Sequence, residues 1–308
     1  MLSRCEEMGQ DPAIDVSGLT KSFGGKLALS GLTMTVPRGE VFGFLGPNGA
    51  GKTTAVKLLL GLSRASAGEG AVLGAPLGSL DARRHIGYLP ELFRYQGWLR
   101  AGEVLGLHGD LARVQRSSLR ESIPKVLETV GLAGLADRRV DTFSKGMQQR
   151  LGLAVALLGD PELVLLDEPT SALDPVGRHD VREILRQLKD RGVAVFLNSH
   201  LLSEVEQICD RAAVVDHGRV VAQGSLEQLL QGPTIRIRCT GLTEDALEQL
   251  GRFGSMSRDG EWVTIAGPRE QEIPAIVAAI VTSGGSIFAV DSGQQTLEER
   301  FLQLVDAG

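Results

Sequence analysis

The nine residues "GPNGAGKTT", Gly46 to Thr54, stand between the apolar run "VFGFLG" and the helical pattern "TTAVKLLLGL". Glycine is used where a Cβ would block a tight turn or the close approach of a ligand, and a lysine among glycines implies that the ligand is an anion. The spacing G-x-x-x-x-G-K-[ST], after a strand and before a helix, predicts that the N–H groups of Gly49, Ala50, Gly51 and Lys52 converge on phosphate oxygens. Unpaired donors and the helix dipole already favour negative charge at a helix N-terminus. In such a cradle Lys52 reaches the β and γ phosphates and Thr53 ligates Mg2+. Gly46, Asn48 and Thr54 complete the loop.

A triphosphate cradle also needs a metal holder and a group that acts on water. The apolar run "LVLLDEP" ends in two acids, which assigns Asp167 to the Mg2+ shell and Glu168 to the attacking water. In "FSKGMQQRLGLAVALLGD", Ser144 and Gly146 open a second helix and so form a second anion-binding terminus. His200 follows another apolar strand, "VAVFLNS".

The short apolar runs "VFGFLG", "ELVLLDE", "VAVFLNS" and "AAVVD" are what a parallel sheet covered on both faces requires, so the core reads as α/β. Ahead of it, "AIDVSGLTKSF" and "GLTMTVPRGE" read as antiparallel strands with a Pro-Arg-Gly-Glu turn. From Ile86 to Asp160 strand character fades and helical periodicity takes over, giving a helical insert at about 92–160. Ser225 and Gln228 form a capping box, and "QGP" at Gln231–Pro233 then breaks the chain. The pattern restarts with the alternating strand "TIRIRCT", followed by helix, strand, helix and strand, with a second capping box at Thr296 and Glu299. The organisation is therefore a flexible tail over 1–12, a phosphate-binding α/β domain over 13–230 and a small α+β accessory domain over 233–308.

Composition narrows the function classes. The chain has 308 residues, 43% of them hydrophobic, which suffices for a sizeable core. A formal net charge of −6 argues against a partner held by a broad basic surface, so no nucleic acid is expected. Cys5, Cys209 and Cys239 are scattered and fit neither a disulfide framework nor a zinc site. Ile273 to Val290 is 18 residues without a charge, but "TSGGS" divides it into a helix ending near Ser283 and a strand "SIFAV". The N-terminus lacks a signal peptide's apolar stretch, and a cytoplasmic location is expected.

Over residues 13–230 the motifs, in their order, resemble the ATP-binding subunits of ABC transporters. Gly46 to Thr53 resembles Walker A, "FSKGMQQR" the signature, "LVLLDEP" Walker B and "SALD", ending at Asp174, the D-loop. His200 stands at the switch-histidine position and Phe23, in "LTKSFGG", at the aromatic that stacks on adenine. Two departures stand out. The signature keeps Ser144 and Gly146 but loses the first glycine and the glutamine of "LSGGQ", and the Q-loop position in "IGYLPEL" carries Glu91, a carboxylate that still suits Mg2+ or its water.

The resemblance implies a P-loop NTPase core of ABC type with an antiparallel β subdomain and a helical insert. It implies two ATP molecules sandwiched in a head-to-tail homodimer, or with a paired ATPase subunit, each between Gly46–Thr53 of one chain and Ser144–Gly146 of the other. Asp174 joins the sites across the interface. "IGYLPE", "SKGMQQRLGLA" and the tail from Leu201 look most like the ATPases of ABC-2 type exporters, which implies a separate integral-membrane permease and a peripheral place on the cytoplasmic face. Trp98 fits either the permease contact or a core. The alternative is a soluble ABC-type ATPase acting on ribosome or DNA.

Overall fold

The computed structural model describes residues 11–306 other than 172, 231, 232, 269 and 295. The chain divides into two compact units between Gln223 and Gly224. The sequence break at Gln231–Pro233 lies a little further on, and its residues 231 and 232 lie outside the described residues, as do residues 1–10 of the N-terminal tail.

In the first unit, β1 (Ile14–Phe23) and β2 (Lys26–Val36) form an antiparallel hairpin turned at Gly24 and Gly25, both at positive φ. The chain passes the Pro-Arg-Gly-Glu turn into β3 (Val41–Leu45), then through the glycine-rich loop into α1 (Lys52–Leu59). β4 (Ala67–Val72) and β5 (Ala75–Pro76) complete a four-stranded sheet in the order β2-β1-β4-β5. Gly68 and Gly70 erase the side-chain alternation that would have revealed β4.

After the short α2 (Leu80–Arg83) comes β6 (Ile86–Leu89), where the sequence reading expected strand character to fade. Four residues carry too little periodicity to be read, yet β6 pairs in parallel with β7 from Ile86↔Leu163 to Leu89↔Leu166. The helical insert holds α3 (Ala101–Leu111), α4 (Arg116–Thr129) and α5 (Lys145–Ala156). β7 (Leu163–Asp167), α6 (Pro175–Asp190), β8 (Ala194–Asn198), α7 (Leu202–Ile208), β9 (Arg211–Asp216) and β10 (Arg219–Ser225) follow. The main sheet runs β10-β9-β3-β8-β7-β6.

Every residue of β3, β7 and β8 is buried, as their unbroken apolar runs require. Phe42 stacks on Phe196 with ring centres 6.0 Å apart, and Phe44 leans on the same ring at 5.1 Å. Each such fully buried ring contributes about 1.5–3 kcal/mol. The parallel strands β3, β7 and β8 thus point their C-terminal ends the same way, which is where the loops carrying the motifs leave the sheet.

The second unit begins within the last residues of β10 and contains α8 (Leu226–Leu229), capped reciprocally by Ser225 and Gln228 as expected. It continues with β11 (Pro233–Thr240), α9 (Glu244–Leu250), β12 (Ser255–Asp259), β13 (Trp262–Ala266), α10 (Ile273–Thr282), β14 (Ser286–Gln294) and α11 (Leu297–Asp306). The order β12-β13-β11-β14 gives a β-α-β-β-α-β sandwich with one more strand than expected, because Gly260 turns a tight hairpin between β12 and β13. Ile235, Ile237, Val263 and Ile265 pack on Leu250, Ile276 and Ile280. Among the described residues no helix is long and apolar enough to cross a membrane.

Candidate nucleotide site

The loop after β3 is shaped by glycines that no other residue could replace. A Cβ on Gly46 would lie 2.3 Å from the Val215 carbonyl oxygen, and one on Gly51 would lie 2.4 Å from that of Ala28. Gly51, the N-cap of α1, also has φ 99°, in the left-handed region. The loop folds on itself: Lys52 Nζ donates to the carbonyls of Gly46 (2.6 Å) and Pro47 (3.2 Å). The Ala50 amide, expected among the converging donors, donates to the Pro47 carbonyl at 3.2 Å in a turn within the loop, and the Ala50 side chain is buried.

Facing this loop are the ends of β7 and β8, which register Asp167 against Asn198. Asn198 Nδ2 donates to Asp167 Oδ1. Glu168 follows with φ 54°, a conformation that is strained for a residue with a Cβ. Its amide donates to the Asn198 carbonyl at 2.9 Å, and its Oε1 accepts from the His200 amide at 2.9 Å. Its Oε2 lies 2.8 Å from His200 Nδ1, a contact that becomes a hydrogen bond when Nδ1 carries the imidazole proton.

These walls enclose a hollow of about 520 Å3. Asn48, Gly49, Gly51, Lys52, Thr53 and Thr54 line it from the loop, and Glu91, Asp167, Glu168, Asn198 and His200 from the acidic side. The third side is the tip of the β1–β2 hairpin, with Phe23, Lys26, Leu27 and Ala28. Phe23 is 54% exposed, with Lys21 Nζ 4.9 Å from its ring centre. Gly46 and Ala50 support the loop from behind.

Burial holds the Asp167 carboxyl above its ordinary range; Glu91 and Glu168 add to this, while the Asn198 hydrogen bond and Lys52 oppose it. Burial lowers the Lys52 ammonium against the pull of Glu168, Asp167 and Glu91. The Tyr88 phenol is pushed up to about 12 by burial, then by Asp167 and Glu91. A buried carboxyl held above its ordinary range beside two further acids is the environment a divalent cation relieves, and the glycine loop opposite is one that an anion completes.

Ser144, Gly146 and Asp174 are not brought to this hollow. Ser144 is exposed and caps α5, its Oγ accepting from the Met147 amide at 3.2 Å. Asp174 is exposed and caps α6, its Oδ1 accepting from the Gly177 amide at 2.7 Å. The sequence reading missed Lys26, Leu27, Ala28 and Asn198. Asn198 had a signal, since it is the one polar residue ending an otherwise apolar strand two positions before His200.

Fold and hollow together define a P-loop ATPase cassette of ABC type. The ABC transporter family model matches residues 29–171. An uncharacterized ABC transporter ATP-binding protein of Nostoc sp. is 42% identical over 286 residues, 91% of this chain and 83% of that one. The Nod factor export ATP-binding protein I of Rhizobium sp. is 44% identical over 221 residues, 71% of this chain and 73% of that one. A solved ATP-binding subunit of an ABC transporter superposes with a TM-score of 0.65 at 30% identity, covering 70% of this chain and 91% of that one. The chain belongs to the ABC transporter ATP-binding proteins, a family of ATPases.

Proposed function

We propose that this chain is the motor subunit of an ABC-2 type exporter, hydrolysing ATP between two copies and driving a separate membrane permease from the cytoplasmic face. The observation that carries the reading is the division of the motifs: one copy gathers Phe23, Lys52, Asp167, Glu168 and His200 around a single hollow, yet leaves the exposed Ser144 and the half-buried Gly146 outside it. A second copy facing head to tail supplies what the first lacks. The 44% identity to a protein named for Nod factor export supports export over import.

In this reading Phe23 stacks on the adenine and Lys52 leaves the Gly46 and Pro47 carbonyls for the phosphates, with Gly49, Gly51 and Thr54 around them. Thr53 and Asp167 hold Mg2+, with Glu91 at its water shell. The metal, when bound, neutralises phosphate charge and fixes the geometry of the displaced oxygens. Among the described residues no group of three or more His, Cys, Asp or Glu is placed to hold a metal alone, so phosphate and water supply the remaining ligands, as Mg2+ prefers. Glu168, fixed through Oε1, takes the proton of the attacking water, and His200 meets the γ-phosphate from the end of the neighbouring β8.

The partner's Ser144 and Gly146 present a helix N-terminus to the same phosphates, so the nucleotide's charge joins the copies and its cleavage releases them. Asp174 adds to that interface. The helical insert offers the permease an apolar surface, with Leu92 88%, Trp98 70% and Leu111 72% exposed. Residues 233–308 serve as an accessory domain. Pull-down from detergent-solubilised membranes tests the reading: a permease should accompany the wild-type chain, and its absence alongside a ribosome or DNA would refute it.

A further inference from the structure

We infer that Asn198 is a positioning residue of the hydrolytic site, whose side-chain amide nitrogen holds the Asp167 carboxylate and whose backbone carbonyl holds Glu168. The inference rests on the proposed role of Asp167 as a metal holder.

Asn198 is 3% exposed and lines the hollow. An ionised carboxylate only accepts hydrogen bonds, so the amide must turn its NH2 toward Asp167, as it does. That orientation commits Oδ1 to the other side, where it is buried and has no hydrogen-bond partner. The bond from Nδ2 is what fixes the Asp167 carboxylate at the wall of the hollow.

The same residue also ties the two acids together. Its carbonyl accepts from the Glu168 amide at 2.9 Å, so the strained backbone of Glu168 and the side chain of Asp167 hang on one position of β8. Two residues on, the His200 amide fixes Glu168 Oε1 at 2.9 Å. Asn198 therefore orients the metal holder with its side chain and the water-activating acid with its backbone. Outer partners of this kind set metal affinity without touching the nucleotide.

The test uses the full chain and two probes, ADP without metal and Mn2+ added to the ADP-loaded protein, the latter read by electron paramagnetic resonance. In Asn198→Leu, Mn2+ affinity and kcat each fall about 10- to 100-fold while metal-free ADP affinity is unchanged. Asn198→Ser, which keeps a donor and an acceptor, recovers part of both; Asn198→Ala carries the comparison if the leucine variant does not fold. Wild-type Mn2+ affinity and kcat in the leucine or alanine variant, or parallel loss of metal-free ADP binding, overturns the inference. A wild-type chain without an ADP-dependent Mn2+ site, or one that Asp167→Asn leaves intact, overturns the reading of Asp167 and this inference with it.

Discussion

His200 holds Glu168 twice, through its backbone amide to Oε1 at 2.9 Å and through Nδ1, 2.8 Å from Oε2. The two contacts separate under mutation, because only the second belongs to the side chain. His200→Ala should therefore leave Glu168 anchored and ATP binding intact while turnover falls about a hundredfold or more, the range of a lost donor to the charge that develops in the transition state. Equilibrium ATP binding with steady-state phosphate release checks this, and wild-type turnover would show that the imidazole is not used.

Lys52 is the only lysine in the glycine loop and rests on that loop's own carbonyls. Lys52→Ala removes a charged donor worth roughly 1.5–3 kcal/mol to a phosphate, so ATP affinity should fall about 10- to 100-fold and turnover should vanish. Isothermal titration and phosphate release measure the two effects, and hydrolysis at the wild-type rate would refute the cradle.

Phe23 is half exposed, so its removal should cost binding and leave stability nearly untouched. Phe23→Ala should lose about 1–3 kcal/mol of nucleotide affinity, the scale of base stacking on an aromatic ring, and Phe23→Trp should restore it. Equal ATP affinity in the alanine variant would place the adenine elsewhere.

Asp167 gives a pH test. Because burial raises its pKa, the folded chain binds that proton more tightly than the unfolded chain. The resulting cost to stability is absent below the ordinary carboxylate range, grows as pH rises through the folded pKa and is constant above it. In metal-free and nucleotide-free protein, Asp167→Asn should therefore raise the thermal midpoint at neutral pH, and the gain should shrink on acidification. Calorimetry over a pH series reads it; a less stable variant at neutral pH contradicts it.

What was legible in the sequence was local. Gly46 to Thr54 carries its meaning in its own spacing, Asp167 and Glu168 end one apolar run, and Ser225 with Gln228 form a capping box within four residues. What escaped depends on neighbours distant in sequence. β6 is a strand only because β7 lies beside it, and Asn198 matters only because β8 registers it against Asp167. The positive φ of Glu168 goes with its bond to the Asn198 carbonyl on the neighbouring strand, which no spacing records.

Sedimentation of Glu168→Gln with ATP and Mg2+ tests the shared nucleotide most directly. That variant should bind ATP, hydrolyse it about 10²- to 10⁴-fold more slowly and accumulate as a dimer, and adding Ser144→Arg should return it to monomer without loss of ATP binding. A Glu168→Gln chain that stays monomeric while saturated with ATP and Mg2+ would contradict the account.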